Sequence, residues 1–323
     1  LSAGESGMNT EAFVCLRTVD DAAVPLPDSS VLCLGNFDGV HPGHQALLRR
    51  GVEMAKERGV ACGVFLFDPP SSDYLCDTPP GHLTTRRERS AMLSAFGISF
   101  YIAADFSAMR DMPPELFAQS VLRDQLCAVG LVCGYNFRFG AGGRGDTALL
   151  RGIFGAENVS VIPCVSVDDR AVSASAIRSL LLGGKTEEAA VLLGRPYTLN
   201  APVNHGKELA RHWGMPTANQ FFPAGKLIPA PGVYYTHCTV DGTVYDAVSN
   251  VGIRPSVSGD THIPNCESYL LNFTGDLYGK QMQTVFLHFV RPEVHFSSPD
   301  QLRTQMRADI DSAGHYFAKG GRQ

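Results

Sequence analysis

The stretch that decides the fold is residues 30–67, "SVLCLGNFDGVHPGHQALLRRGVEMAKERGVACGVFLF". It opens on the apolar run "SVLCLG" (30–35), crosses a glycine-containing loop, and closes on a second apolar run, "ACGVFLF" (61–67). Between the two, residues 42–58 read as a helix, with Pro42 in the first turn, where its missing N–H costs nothing. Short apolar strands separated by a helix make a parallel crossover unit. The rhythm continues through the first half of the chain. Helices are expected at 84–96 and 113–126, and strands at 99–105, 130–134 and 159–164. This predicts a parallel sheet with helices on both faces, and such sheets bind ligands beyond the carboxyl ends of their strands. The 35–43 loop lies at such an end.

That loop holds His41 and His44 on either side of Pro42-Gly43, where the helix begins. A helix start offers unpaired N–H groups and a positive dipole end, both suited to phosphate. Gly35, Gly39 and Gly43 carry no Cβ, so backbone can approach a ligand closely. Two imidazoles three residues apart can face one side and donate to an oxygen that gains charge. This is equipment for nucleotidyl transfer without a side-chain nucleophile. No GxxxxGK[ST] pattern is present, so a P-loop kinase is not supported. "SASAIRSLL" (173–181) adds Ser173, Ser175 and Arg178 at another helix start, a second phosphate-favouring group.

From Ser175 the chain reads as a helix, a Gly-Gly break and a second short helix. Beyond Gly194 the texture changes. Period-two runs such as "GVYYTHCTV" (232–240) and "QTVFLHFV" (283–290), with an Asp241-Gly242 hairpin signal, predict a closed antiparallel barrel. Residues 298–317 read as a terminal helix with a serine cap. The fold class is therefore α/β followed by β, with domains expected at 8–190 and 195–318. In the second half, Thr217 and Asn219 in "GMPTANQ" share one face of an extended segment and offer hard oxygens to a cation such as magnesium. Gly206, Lys207, Arg211 and Gly214 supply flexible backbone and positive charge nearby. Glu267, within "NCESYLLNF", could take the proton of an attacking hydroxyl.

The bulk composition bounds the partners. The 323 residues are 44% hydrophobic and 18% charged with a net charge of −5, which describes a globular protein without the basic footprint of a nucleic-acid binder. No apolar run reaches membrane-spanning length, and the opening residues lack the order of a signal peptide, so Met8 reads as the natural start. Nine cysteines without a CxxC pair argue against a disulfide framework or zinc site and for a reducing cytoplasm. Cys33, Cys62, Cys127, Cys133 and Cys164 read as core. Oligomeric state leaves no signal in the sequence.

"GNFDGVHPGHQ", "GYNFRFG" (134–140) and "SASAIR" together resemble the N-terminal module of the prokaryotic bifunctional riboflavin kinase/FMN adenylyltransferases (FAD synthetases). "GMPTANQ", "GVYY", "NVGIRPS", "ESYLLNF", "DLYGK" and "FVRPEVHF" follow in the order of the riboflavin kinase barrel. The resemblance implies a Rossmann-like nucleotidyltransferase domain and a riboflavin-kinase-like barrel, with ATP, riboflavin and FMN as substrates, FAD as product and Mg2+ as cofactor. It implies that His41 and His44 stabilise the reacting phosphates and Arg178 the leaving pyrophosphate, with Gly35, Asn36, Phe37, Asp38, Gly43 and Ser175 at the nucleotide. Asn136, Phe137 and Arg138 would lie on the flavin side, Thr217 and Asn219 at Mg-ATP, and Glu267 would be the base. Pro70, Ala174 and Ala210 depart from the family pattern. Two other readings remain: a chain with one working module, and a flavin-binding regulatory protein with decayed sites. Adenylyltransferases for other acceptors would have no use for the barrel, and tRNA synthetases are disfavoured by the acidic charge and the lack of a KMSKS-like stretch.

Overall fold

The computed structural model of the protein describes residues 14–18, 25–68, 70, 72–75, 80–205, 213–255 and 262–320. Packing divides the chain into two compact units that meet in sequence at Ser173 and Ala174, with Gly81–Leu83 belonging to the second.

The first unit runs β1 (Val14–Thr18), β2 (Ser30–Leu34), α1 (Pro42–Arg58), β3 (Ala61–Phe67), α2 (Ser72–Leu75), α3 (Arg86–Ala95), β4 (Phe100–Ala104), α4 (Phe106–Met109), α5 (Pro114–Leu116), β5 (Ala128–Gly134), α6 (Thr147–Phe154), β6 (Val159–Ile162), β7 (Ser166–Val167) and β8 (Arg170–Ala171). The main sheet is ordered β1-β4-β3-β2-β5-β6, parallel throughout except for the antiparallel edge strand β1. The chain moves from β2 outward through β3 to β4, then returns to the other side of β2 at β5. The order therefore reverses between β2 and β5, and the loops after these neighbouring strands leave the same end of the sheet. This is the crevice in which open sheets bind ligands.

Apart from Ser30 at the start of β2, the buried residues of β2 and β3 are apolar, with Val31, Leu32, Cys33 and Val64 at zero exposure, as a doubly covered parallel sheet requires. Helix α1 packs closely enough that Gly51 needs its hydrogen. A Cβ there would lie 2.2 Å from Cys33 Sγ and 3.3 Å from Cys62 Sγ. Gly51→Ala is expected to destabilise the fold by about 1–3 kcal/mol through overpacking, read as a lower midpoint in urea. The 113–126 segment is helical but wound in two ways. After α5 it continues as a π-helix over Phe117–Gln125, whose wider turn brings Phe117, Ala118, Val121 and Leu122 to the core together.

The second unit runs α7 (Ala174–Leu182), α8 (Thr186–Leu193), β9 (Tyr197–Pro202), β10 (Ala218–Phe221), β11 (Gly232–Val240), β12 (Thr243–Pro255), β13 (His262–Leu270), β14 (Gln281–Pro292) and α9 (Pro299–Ala318). Its six strands form one antiparallel sheet, β10-β13-β12-β11-β14-β9. The barrel is nearly closed rather than closed. The edge strands β9 and β10 form no ladder with each other among the described residues; just beyond β9, Asn204 N donates to Asn219 O of β10 at 2.7 Å. Asp241 and Gly242 turn the β11–β12 hairpin with φ of 49° and 79°, the pair of positive values that a two-residue turn demands. Ser298 caps α9 by accepting from Gln301 N, and Arg291 grips the buried Asp309 through Nε and Nη2, at 3.2 and 2.6 Å.

The barrel interior holds a polar chain that hydropathy could not announce. Thr236, Ser249 and Ser268 share hydroxyl hydrogen bonds of 2.7 Å across three strands. Thr284 donates to Gln220 Oε1 at 2.6 Å, and Gln220 Nε2 donates to the carbonyls of Ala201 and Met282. All five side chains are fully buried, and these partners meet their hydrogen-bonding needs.

The cysteine expectation needs one correction. Cys33, Cys62 and Cys133 are core residues, but Cys164 is exposed and Cys127 only half-buried. Cys164 follows the end of β6, and Cys127 sits in a left-handed turn (φ 48°) ahead of β5, so neither has a sheet face to bury it. Burial pushes the Cys133 thiol up to about 11 and Cys266 up to about 12, away from reactivity.

Candidate functional site

In the first unit the site is built on the turn between β2 and α1. Phe37 and Val40 adopt positive φ (53° and 42°), unusual for residues with side chains, and Gly39 follows suit at 78°. The surroundings hold this strained turn in place. Asp38, 3% exposed, accepts from both the N–H and the hydroxyl of Thr84 at 3.0 and 3.1 Å, and the Thr84 hydroxyl accepts from Gly39 N at 3.1 Å. Asp38 is thus an anchor of the loop, and the fully buried Phe37 offers a ligand only its backbone. Backbone strain sustained in this way is typical of sites that must present a fixed geometry.

His41 caps α1, its Nδ1 accepting from His44 N at 3.4 Å. The two imidazoles stack with centroids 3.7 Å apart and planes 17° from parallel, while Phe37 leans on His44 at 5.1 Å. Among the described residues, the buried Nδ1 of His44 has no hydrogen-bond partner. Burial first, then the adjacent His41 and Arg89, hold His44 well below the usual imidazole range. Arg89, only 5% exposed, reaches the carbonyl of Asn36 at 3.5 Å and Asp68 at 3.9 Å. Asp68 also pairs with Arg86. The loop is therefore backed by a buried cation that sequence reasoning missed. Its only signal was an arginine inside the capping-box helix that starts at Thr85.

The loop after β5 leaves beside it. Asn136 and Arg138 are exposed, Arg138 lies 3.6 Å from Asp146, and Phe137 stacks on Phe139 at 5.7 Å. Gly35 and Gly43 flank the histidine turn, and a Cβ on Gly43 would lie 3.2 Å from the His41 ring. Ser175 and Arg178 lie on α7, within the second unit, Ser175 exposed and Arg178 half-buried.

In the barrel, Asn219 on β10 pairs in register with Glu267 on β13, which pairs in turn with Asn250 on β12. Thr217 lies two residues before Asn219 and is half-buried, as is Glu267. Asn265, two residues from Glu267 on the same face, donates to Asn219 Oδ1 at 2.8 Å and to Glu267 Oε1 at 3.1 Å. Gly214 is exposed with φ of 75° and open space around it, while Gly206, Lys207 and Arg211, like Ala210, lie outside the described residues. Among the described residues no three His, Cys, Asp or Glu side chains cluster to hold a metal, so a cation here would share nucleotide phosphates with neutral oxygen donors. Thr217 and Asn219 fit that demand for a magnesium ion.

A turn of paired histidines at the reversal point of a parallel sheet, joined in one chain to a barrel that sets a carboxylate beside a carboxamide, defines a two-module nucleotide-dependent transferase. An FAD synthetase family model matches residues 24–176, and a riboflavin kinase family model matches residues 193–317. A bifunctional riboflavin kinase/FMN adenylyltransferase of Pseudomonas fluorescens is 35% identical over 287 residues, covering 88% of this chain and 91% of the relative. Its namesake from Escherichia coli K12 is 32% identical over 308 residues, covering 94% and 97%. A crystal structure described as a macrolide-efflux protein from Streptococcus pneumoniae shares the fold, with a TM-score of 0.77 and 28% identity over 92% of this chain and 97% of that one. The chain belongs to the bifunctional riboflavin kinase/FMN adenylyltransferase family. It is an enzyme of flavin cofactor biosynthesis, converting riboflavin to FMN and FMN to FAD.

Proposed function

We propose that residues 8–190 carry out the adenylyl transfer and residues 195–318 the phosphorylation, each at the site described above. In the first, a phosphate oxygen of FMN attacks the α-phosphorus of ATP, and the bond to pyrophosphate breaks as the new bond forms. His41 and His44 donate to the phosphate oxygens as charge develops, and Arg178 with Ser175 receives the pyrophosphate. Gly35, Asn36, Phe37, Asp38 and Gly43 form the nucleotide loop, and Asn136, Phe137 and Arg138 form the flavin side. In the second, the ribityl 5′-hydroxyl attacks the γ-phosphorus of ATP, Glu267 takes its proton, and ADP leaves. Thr217 and Asn219 would hold Mg2+, which neutralises phosphate charge when bound, and Gly206, Lys207, Arg211 and Gly214 form the phosphate loop. The substrates are small molecules, with no role for nucleic acid or membrane. The seven cysteines from Cys33 onward whose side chains are described are free thiols, which supports a reducing compartment such as the cytoplasm. Among the described residues, no helix is long and apolar enough to cross a membrane.

The observation that carries the adenylyl half is the buried Nδ1 of His44, which has no hydrogen-bond partner among the described residues, at the sheet's reversal point. The test of the whole is a time course with riboflavin, ATP and magnesium, the flavins being separated by chromatography. FMN is expected first and FAD after it. FMN alone would rule out the adenylyl site, and no turnover from riboflavin or FMN would favour a binding protein.

His44 also predicts proton linkage. In the free protein it is held below its ordinary pKa, and phosphate charge brought beside it favours the protonated form. ATP binding near pH ~6 is therefore expected to take up protons. Calorimetric titrations in buffers of different ionisation enthalpy should show an uptake that His44→Asn abolishes.

A further inference from the structure

Three polar side chains on one face of β10 and β13 fix each other's orientation. A carboxylate only accepts hydrogen bonds, so the amide of Asn265 must turn its Nδ2 toward Glu267 Oε1, at 3.1 Å. The same Nδ2 reaches Asn219 Oδ1 at 2.8 Å, so Asn219 must turn its oxygen toward Asn265. Its own Nδ2 is thereby aimed away, and in a residue only 1% exposed that atom has no hydrogen-bond partner among the described residues. Buried amide donors without a partner are rare and costly. Asn265 itself is 2% exposed, so neither amide has room to trade these bonds for water.

We propose that Asn265 is a positioning residue of the kinase site: it holds one oxygen of the Glu267 carboxylate and sets the rotation of the Asn219 amide, so that Asn219 offers Nδ2 to an oxygen of bound nucleotide. The inference rests on the reading of Glu267 and Asn219 as kinase residues and adds to it a third residue that touches no reactant. The second proton of Asn265 Nδ2 is what joins the two. One amide group thus couples the orientation of the base to that of the phosphate-facing side chain. Nothing in the argument needs a cation, and the second lone pair of Asn219 Oδ1 stays open to one.

The test compares Asn265→Ala and the nearly isosteric Asn265→Asp with the unaltered chain in both half-reactions. Removing a donor to a charged group that must be held for reaction is expected to lower kcat for riboflavin phosphorylation roughly 10- to 100-fold. KM for riboflavin should stay within about threefold, because the lost contacts orient groups rather than bind the flavin. FAD formation from supplied FMN should be unchanged, which reports that the first module is folded, while an unchanged thermal unfolding transition reports that the barrel is. In 15N-labelled protein, the side-chain amide signal that vanishes in Asn265→Asp should shift in Glu267→Gln, a readout independent of turnover. Unchanged kcat in both Asn265 variants, with Glu267→Gln inactive, would overturn the positioning role and leave the kinase site standing. A raised KM with unchanged kcat would overturn it too. Full turnover in Glu267→Gln would remove the site reading and this inference with it.

Discussion

His44→Asn will stop FAD production and leave FMN production intact. Supplied with riboflavin, ATP and magnesium, the variant should accumulate FMN at the normal rate. Its FMN-to-FAD rate should fall about 10²- to 10³-fold, the usual cost of losing one preorganised donor to developing charge. Asparagine keeps an N–H donor and comparable polarity but cannot become a cation, so the loss tests the imidazole itself. The effect is expected to be large because this histidine is built in rather than placed on the surface. It stacks on His41 at 3.7 Å, leans on Phe37, and has a buried nitrogen with no described partner. His41→Asn should show the same split with little change in stability, since asparagine is itself a preferred residue at the α1 cap that His41 occupies. The contrast between the half-reactions excludes loss of the whole chain, and an unchanged thermal unfolding transition excludes loss of the first unit alone. A wild-type FAD rate in His44→Asn would remove the paired histidines from the chemistry and leave the loop as a mere helix start.

Much of this architecture was legible because the sequence states it locally. The α1 bounds follow from Pro42 at one end and Gly59, in the left-handed conformation at φ 66°, at the other. The strands of the parallel sheet are apolar on both faces and stand out as continuous runs. The hairpin at Asp241-Gly242 announces itself because few residue pairs accept two positive φ values. What stayed hidden depends on contacts distant in sequence. The edge strand β1 pairs antiparallel with β4, some eighty residues away, and nothing in "VCLRT" distinguishes it from a loop. Arg89 reads as one more charge on an exposed helix until the fold sets it behind the histidine turn. Thr236, Ser249 and Ser268 are interior, meeting one another across neighbouring strands, a placement that hydropathy alone does not reveal. Asp38 reads as part of the nucleotide loop, but the contact that fixes it there comes from Thr84, forty-six residues on. The short motifs were therefore legible as candidate sites, and the supports that hold them were not.

Glu267→Gln should give the opposite division: riboflavin phosphorylation falls by about 10²- to 10⁴-fold while FMN supplied directly is still adenylylated. Glutamine fills the same space and can still accept at its oxygen from Asn265, so the β13 register with Asn219 and Asn250 should survive. What is lost is the capacity of this carboxylate to take a proton from the attacking hydroxyl; Glu293, another carboxylate beside the row, already accepts from Asn250 Nδ2 at 3.0 Å. Among the described residues of β10, β12 and β13, Asn219, Asn250 and Asn265 are amides, and amides do not act as bases at neutral pH. The buried hydroxyls of Ser249 and Ser268 are committed to each other on the opposite face of the sheet. Thermal unfolding of the variant should therefore match the unaltered chain while its kinase rate does not. If instead riboflavin were phosphorylated at the normal rate, the hydroxyl proton would have to leave directly to phosphate or solvent. The alignment of Glu267 with Asn219 and Asn265 would then serve binding alone, and KM rather than kcat would carry the effect of every substitution in that row.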